Sequence, residues 1–424
     1  MNYIENLFPK SEGVPGKKEQ GAKNDNVNNQ KWAIISIASI PLVMTLGNSM
    51  LIPVLPVMER KMGISAFQSS LIITVYSIVA IFLIPIAGYL SDHIGRKKVI
   101  IPSLIITGIG GLISGWAAWK MNDGYWIVLV GRALQGVGAA GAFPIVLPLV
   151  GDMFKNDDEV SGVLGEIETA NTLGNVLSPV LGSFLAGFIW FLPFISIPVF
   201  CAISILMMIF MVTSPKKKEK PLPFKDFLKK VKLIFTENGR WLYAIFFIGV
   251  IVMFVLFGVL FYLSDILENK YGIKDLRKGL LLALPLGALC LSSFITGKKI
   301  KKNMVLMKWI TFSSLVILGI AIALLSFSKE LWFIITMFLV AGIGIGASLP
   351  PLDALITESI EKEERGTITS IYSSMRFIGV AAGPPVIALL MKNSSKIIFI
   401  LLTTLSIAAA LATFIAIKPD NKGS

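Results

Sequence analysis

Apolar residues occupy this chain in long unbroken runs, and polar residues arrive in short bursts between them. Twelve such runs of about 20 residues can be marked, each long enough to cross a bilayer as a helix. They fall at roughly 32–57, 66–90, 99–119, 125–147, 162–187, 190–213, 241–263, 278–297, 304–327, 331–352, 367–391 and 397–417. None alternates with the period of two that a barrel strand needs, so the pattern predicts helices. The expected fold class is an all-α polytopic membrane protein with twelve transmembrane helices.

The longest internal polar segment, "SPKKKEKPLPFKDFLKKVKLIFTENGR" (Ser214–Arg240), separates six runs from six. Its apolar positions 224, 227, 228, 231, 234 and 235 share one helical face. That pattern reads as a basic amphipathic helix on the membrane surface, with a plain solvated linker as the alternative. The expected organisation is a polar, disordered tail over 1–31, a six-helix bundle over 32–213, the linker 214–240, a second bundle over 241–417 and a short tail 418–424. The first tail lacks the apolar core of a signal peptide.

The two halves echo each other. "GVGAAGAFP" (Gly136–Pro144) matches "GIGIGASLP" (Gly342–Pro350), and "GNVLSP" (Gly174–Pro179) matches "GVAAGP" (Gly379–Pro384) in nearly the same register. A parallel six-helix repeat relates two bundles by a pseudo-twofold axis. It places a site between them near the midplane and lets them rock about it.

Charge changes the picture less than its size suggests. The chain carries 39 Lys and Arg against 26 Asp and Glu, a net +13. In a soluble protein that excess would point to nucleic acid. Here the mean hydropathy is +0.76 and only 15% of residues are charged, so the basic residues read as orientation signals. With the N-terminus inside, about 26 of the 39 fall on the cytoplasmic side, about ten outside, and Arg132, Lys308 and Arg376 within spans. Both termini are therefore expected in the cytoplasm, with the protein in the plasma membrane and no nucleic-acid partner.

Little else calls for a cofactor. Cys201 and Cys290 fall inside spans and are expected as buried free thiols. His93 is the single histidine, which excludes a multi-histidine metal site and a Ser-His-Asp triad away from its loop. "GVGAAG" begins in mid-span rather than after a strand, so it is no nucleotide fingerprint, and there is no Walker loop. No metal, cofactor or enzymatic activity is expected.

One interruption asks for more than orientation. "GYLSDHIGRKK" (Gly88–Lys98) packs an aspartate, a histidine, an arginine and two lysines between two apolar runs. A topogenic loop explains Arg96, Lys97 and Lys98 but not Gly88, Asp92 and Gly95. Gly88 permits close helix approach, and Asp92 can set its charge at a helix N-terminus.

These residues resemble the loop between the second and third spans of the major facilitator superfamily, with Gly88, Leu90, Asp92, Gly95, Arg96 and Lys97 in place. "LVGRALQGVGAA" (Leu129–Ala140) and "LGNSMLIPVLP" (Leu46–Pro56) resemble the fourth- and first-span motifs of its twelve-span drug/proton antiporter branch. "GNVLSPVLGS" (Gly174–Ser183) resembles the fifth-span antiporter motif, with Ser178 and Ser183 where that motif has glycines. The resemblance implies that Asp92 meets the start of span eleven near Gly366–Thr369. Arg96 would then pair with Asp152, so that Gly88, Asp92, Gly95, Arg96 and Asp152 form a conformational latch. It also implies a role for Arg132 in coupling proton movement; a structural ion pair or carbonyl contact is the alternative.

Span five carries the clearest polar stripe. At 100° per residue Glu168, Asn171, Asn175, Ser178 and Gly182 share one arc, and a polar face on a membrane helix looks into the bundle or a watery cavity. Glu168 is the candidate proton carrier, or else a solvated residue at the cavity mouth; Glu166 lies nearly opposite and reads as solvated. Arg376 stands at the repeat equivalent of Asn171, with Asp353 one helix away. A pair between them is structural or opens on protonation, and Arg376 alternatively holds an anionic substrate group. Asn48 and Gln135 are expected to line the cavity with Asn171 and Asn175.

These features converge on a secondary active transporter, functional as a monomer: a proton-coupled exporter of amphiphilic drugs or toxic compounds by alternating access. A charge crossing 100 mV supplies about 2.3 kcal/mol, enough to drive such exchange without nucleotide. A single-metabolite facilitator or a lipid-linked sugar flippase of the same fold is the alternative. A membrane-embedded enzyme or receptor is more remote, because it needs clustered ligands or a large extramembrane domain.

Overall fold

The computed structural model describes residues 17–121, 123–154, 157–213, 236, 239–300, 303–359, 362–392 and 394–417, with the side chains of 17–29, 157–159, 161, 357–359 and 362–367 outside that description. The described residues form thirteen α-helices and one 3-10 turn. In order these are α1 (Lys17–Ser49), the 3-10 turn (Ile52–Val54), α2 (Leu55–Met62), α3 (Ala66–Ile94), α4 (Arg96–Lys120), α5 (Tyr125–Met153), α6 (Asp157–Phe188) and α7 (Leu192–Met211). The second half follows with α8 (Gly239–Asn269), α9 (Asp275–Ile300), α10 (Met304–Leu324), α11 (Leu331–Ser359), α12 (Lys362–Met391) and α13 (Ser395–Ala416).

Eleven stretches are long and apolar enough to span a membrane, α1 and α2 counting together. The twelfth crossing is α6, whose polar stripe dilutes its hydropathy. All twelve expected spans are helices. Span one is broken rather than continuous, because Pro53 and Pro56 lack an N–H and each opens a new helical segment. At its other end α1 starts at Lys17, so residues 17–31, expected to be disordered, continue the helix backwards. Extending a formed span avoids the cost of a new nucleus. The amphipathic helix expected over 224–235 lies outside the described residues.

Local signals set the other ends. Ser65 caps α3 by accepting the N–H of Gln68, whose side chain accepts the Ser65 N–H in return. Gly95 joins α3 to α4 at φ +104°, a backbone conformation that strains any residue with a Cβ. The charged turn therefore needs its second glycine for geometry.

The helices gather into two six-crossing bundles. Helix α4 packs on α5 and α7, α5 on α3, and α1 on α6 in the first; α8 packs on α12, α11 on α9 and α10, and α10 on α13 in the second. The bundles meet chiefly along α3–α12 and α6–α9. The repeat glycines do equivalent work in both. Gly136 brings α5 onto the Tyr76 carbonyl of α3, as Gly342 brings α11 onto the Pro285 carbonyl of α9. A Cβ on Gly344 would lie 2.7 Å from the Ser314 carbonyl of α10, and one on Gly138 would meet the Ser103 carbonyl of α4. Large apolar side chains such as Phe82, Phe188 and Phe210 point outward and are strongly exposed, as a lipid-facing surface requires. Cys201 is buried, whereas Cys290 is only partly so; both are free thiols.

Candidate functional site

Twelve crossings return the chain to the face it started from. The face holding the termini is called near, and the opposite one far. Between the bundles lies a cavity of about 420 Å³. Its polar wall carries Glu168, Asn171, Thr172 and Asn175 from α6, Ser293 from α9, Asp353 from α11 and Arg376 from α12. Its apolar wall is Met253, Leu256 and Phe257 of α8, with Leu289 and Leu349. These positions occupy the middle and near halves of their helices.

The stripe on α6 is thus a cavity face. Asn171 donates to Glu168 Oε1 at 3.2 Å and accepts from the Thr45 hydroxyl at 2.6 Å, which fixes its amide. Arg376 Nη1 lies 3.6 Å from Asp353 Oδ1, and its guanidinium stands over the Tyr372 ring at 5.7 Å. That contact is too long for a good hydrogen bond, and Arg376 also lines the cavity. Five of the expected residues (Glu168, Asn171, Asn175, Asp353 and Arg376) come together here.

Asn48 and Gln135 do not line this cavity. Both are buried against Arg132. Arg132 is fully buried and donates to the Ile72 carbonyl (2.8 Å), the Gly47 carbonyl (3.0 Å), Gln135 Oε1 (2.5 Å) and Asn48 Oδ1 (2.9 Å), while its guanidinium stacks 4.6 Å from the Tyr76 ring centre. A membrane-buried guanidinium needs acceptors, and these two amides supply them. No carboxylate pairs with Arg132 among the described residues, so the carbonyl alternative describes its contacts.

In the charged turn Arg96 is buried and binds Asp92 (2.7 Å), Asp152 (3.1 Å) and the Ser91 hydroxyl (2.6 Å). The expected Arg96–Asp152 pair is present. These four side chains belong to the first bundle. Gly88 reaches the second, where a Cβ would sit 3.7 Å from the Ser370 hydroxyl of α12. The side chains at Gly366 and Thr367, part of the expected Asp92 partner, lie outside the described residues.

Sequence reasoning missed the closure of the far side. Ile52, Pro179, Leu256, Leu260, Leu282 and Leu286 surround a void of only about 10 Å³, room for at most one water. Beyond it Ser264 donates to the Ile52 carbonyl at 2.9 Å, Thr74 donates to the Ala381 carbonyl at 2.7 Å, and a Cβ on Gly279 would lie 2.5 Å from the Pro179 carbonyl. At the far rim Glu268 accepts from both Arg60 and Lys278. Charges at helix ends look ordinary in sequence; the hint was a lysine and a glutamate flanking one short turn.

Two pseudo-symmetric helical bundles around a polar central cavity, sealed at one face, define a membrane transporter that works between its halves. The family model for the Major Facilitator Superfamily matches residues 37–384 and again 307–424, and the chain belongs to that superfamily. It is 55% identical over 377 residues to the "Bacillibactin exporter" of Bacillus subtilis, covering 89% of this chain and 94% of that one. It is also 25% identical to the "Multidrug efflux protein YfmO" of the same organism, over 89% and 91% of the two chains. Among solved structures, a bacterial homologue of the human lysosomal transporter Spinster, inward-facing and unoccupied, aligns with TM-score 0.73 and 16% identity over 92% of this chain and 97% of that one. The human organic anion transporter MFSD10 aligns with TM-score 0.72 and 18% identity over 90% and 99%.

Proposed function

We propose that this protein exports bacillibactin, or a small molecule chemically close to it, from the cytoplasm across the plasma membrane in exchange for protons. The observation that carries the reading is the two-sided cavity. Glu168, Asn171, Asn175, Asp353 and Arg376 face Met253, Leu256 and Phe257 across it. Such a site suits an amphiphilic organic molecule, and its carboxylates can exchange protons with the side to which they open. The high identity to an exporter over nearly the full length of both chains supports the substrate.

The basic excess on the face that holds the termini supports a cytoplasmic location for them, and on that reading the far-sealed state is inward-facing. Residues 32–213 and 241–417 are the two bodies that rock, with residues 214–240 joining them. Substrate enters from the cytoplasm as a carboxyl group gives up its proton. The bundles then tilt, the far seal opens, and an external proton displaces the substrate. Each monomer holds a complete path, and no step requires covalent chemistry.

The apolar wall and the likeness to multidrug efflux proteins favour a second reading, export of several unrelated amphiphiles. Expression in cells that make bacillibactin but lack an exporter separates the two. The first reading predicts restored release into the medium, lost in Glu168→Gln. Unchanged retention of bacillibactin, together with resistance to several drugs, would establish the second.

A further inference from the structure

The ion cluster at the far rim lies away from the cavity, and none of its residues lines it. Glu268, at the end of α8, accepts from Arg60 on one oxygen and from Lys278 on the other, the latter at 2.5 Å. Glu268 and Lys278 side chains are 1% and 2% exposed, whereas Arg60 is 48% exposed. Their charged neighbours are Glu59 on α2, which accepts from Ser69, and Asp265 on α8, which accepts from Asn269. Arg60 also reaches toward Asn269 Oδ1 at 3.5 Å.

Arg60 belongs to the first bundle, and Glu268 and Lys278 flank the α8–α9 turn of the second. Among the described residues, Arg60–Glu268 is the ion pair that crosses between bundles. The Arg96 pairs stay within the first, and the Lys278–Glu268 and Arg376–Asp353 pairs within the second. Its construction is one-sided. Breaking a buried pair is costly when it leaves a charge without a partner. When Arg60 withdraws, however, Glu268 keeps Lys278, and Arg60, already half in water, is solvated. The pair can open without stranding a buried charge.

We propose that Arg60 and Glu268 form the far-side gate of the transport cycle. The pair holds that face shut while the cavity is loaded and parts when it opens, with Lys278 as the permanent counter-ion that keeps Glu268 in place. This rests on the alternating-access exporter reading above.

The test is the distance between spin labels on the far face, at Lys61 and Lys274, in otherwise intact protein with Cys201 and Cys290 replaced by serine. Arg60→Ala is expected to raise the long-distance population roughly three- to tenfold and to slow bacillibactin export. Arg60→Lys, which keeps a charge at that position, should restore much of the short distance and show that the variant fold is intact. A distribution in Arg60→Ala equal to that of the parent overturns the gate, whatever the transport activity. If Arg60→Ala shifts the distances while the parent protein exports no bacillibactin, the gate stands and the substrate assignment falls.

Discussion

Arg376 and Asp353 stand 3.6 Å apart on the wall of a cavity that Glu168 also lines. Two carboxyl groups and one guanidinium line it together. With both ionised this trio carries a net charge of −1, and one proton brings it to zero. Such a set can exchange a proton for a substrate without leaving large uncompensated charge.

The trio makes distinct predictions for its members. Glu168→Gln should abolish pH-driven transport while leaving downhill exchange of substrate in place, because the amide keeps the shape and loses the proton. Asp353→Asn should act through Arg376, whose guanidinium loses its carboxylate and turns wholly to the cavity; the apparent substrate affinity should change by about tenfold or more. Counterflow and pH-driven uptake in proteoliposomes separate the two effects.

Arg132 predicts a stability effect. Removing it leaves the Asn48 and Gln135 amides and two carbonyls short of a donor in a dry interior. Arg132→Ala should cost about 3 kcal/mol or more. Lys at this position should recover only part, because one ammonium cannot reproduce the planar fork. Asn48→Ala should lower the thermal unfolding midpoint with little change in substrate affinity. A large affinity change with unaltered stability would return Asn48 to the cavity wall.

Glycine positions give an internal contrast. Gly136→Val forces a side chain onto the Tyr76 carbonyl and within about 3 Å of Val79, so α5 must part from α3. Overpacking of this kind costs at least about 1–3 kcal/mol. At Gly162, in α6, an added Cβ would meet nothing within 4 Å, and Gly162→Ala should be neutral or gain up to about 1 kcal/mol. Yields of folded protein on size-exclusion chromatography, with unfolding midpoints, check both.

Gly95 predicts strain without contact. At φ +104° nothing lies within 4 Å of an added Cβ, so Gly95→Ala costs backbone energy alone, about 1–3 kcal/mol. The expected sign is a reduced unfolding midpoint with Arg96 still paired to Asp152.

Much of this was legible because membrane helices write their burial plainly. Apolar runs marked the crossings, and the repeated glycines marked the same helix contacts in each half. The stripe from Glu168 to Asn175 named a cavity wall, since a polar face in a bilayer has nowhere else to go. Periodicity gives a residue's face but not its neighbour, which is why Asn48 and Gln135 were placed on the cavity instead of on Arg132. The Arg60–Glu268–Lys278 cluster stayed hidden for a related reason. Charges at helix ends normally sit in water, and only the packing of α2 and α9 against α8 buries Glu268 and Lys278.

The central claim is proton-coupled export through the Glu168 cavity. It is tested most directly by bacillibactin-induced proton movement in proteoliposomes under an imposed pH gradient, comparing the parent with Glu168→Gln. The account predicts that bacillibactin dissipates the gradient with the parent and not with the variant. Transport of bacillibactin with no proton movement, or equal proton movement by both proteins, would contradict it.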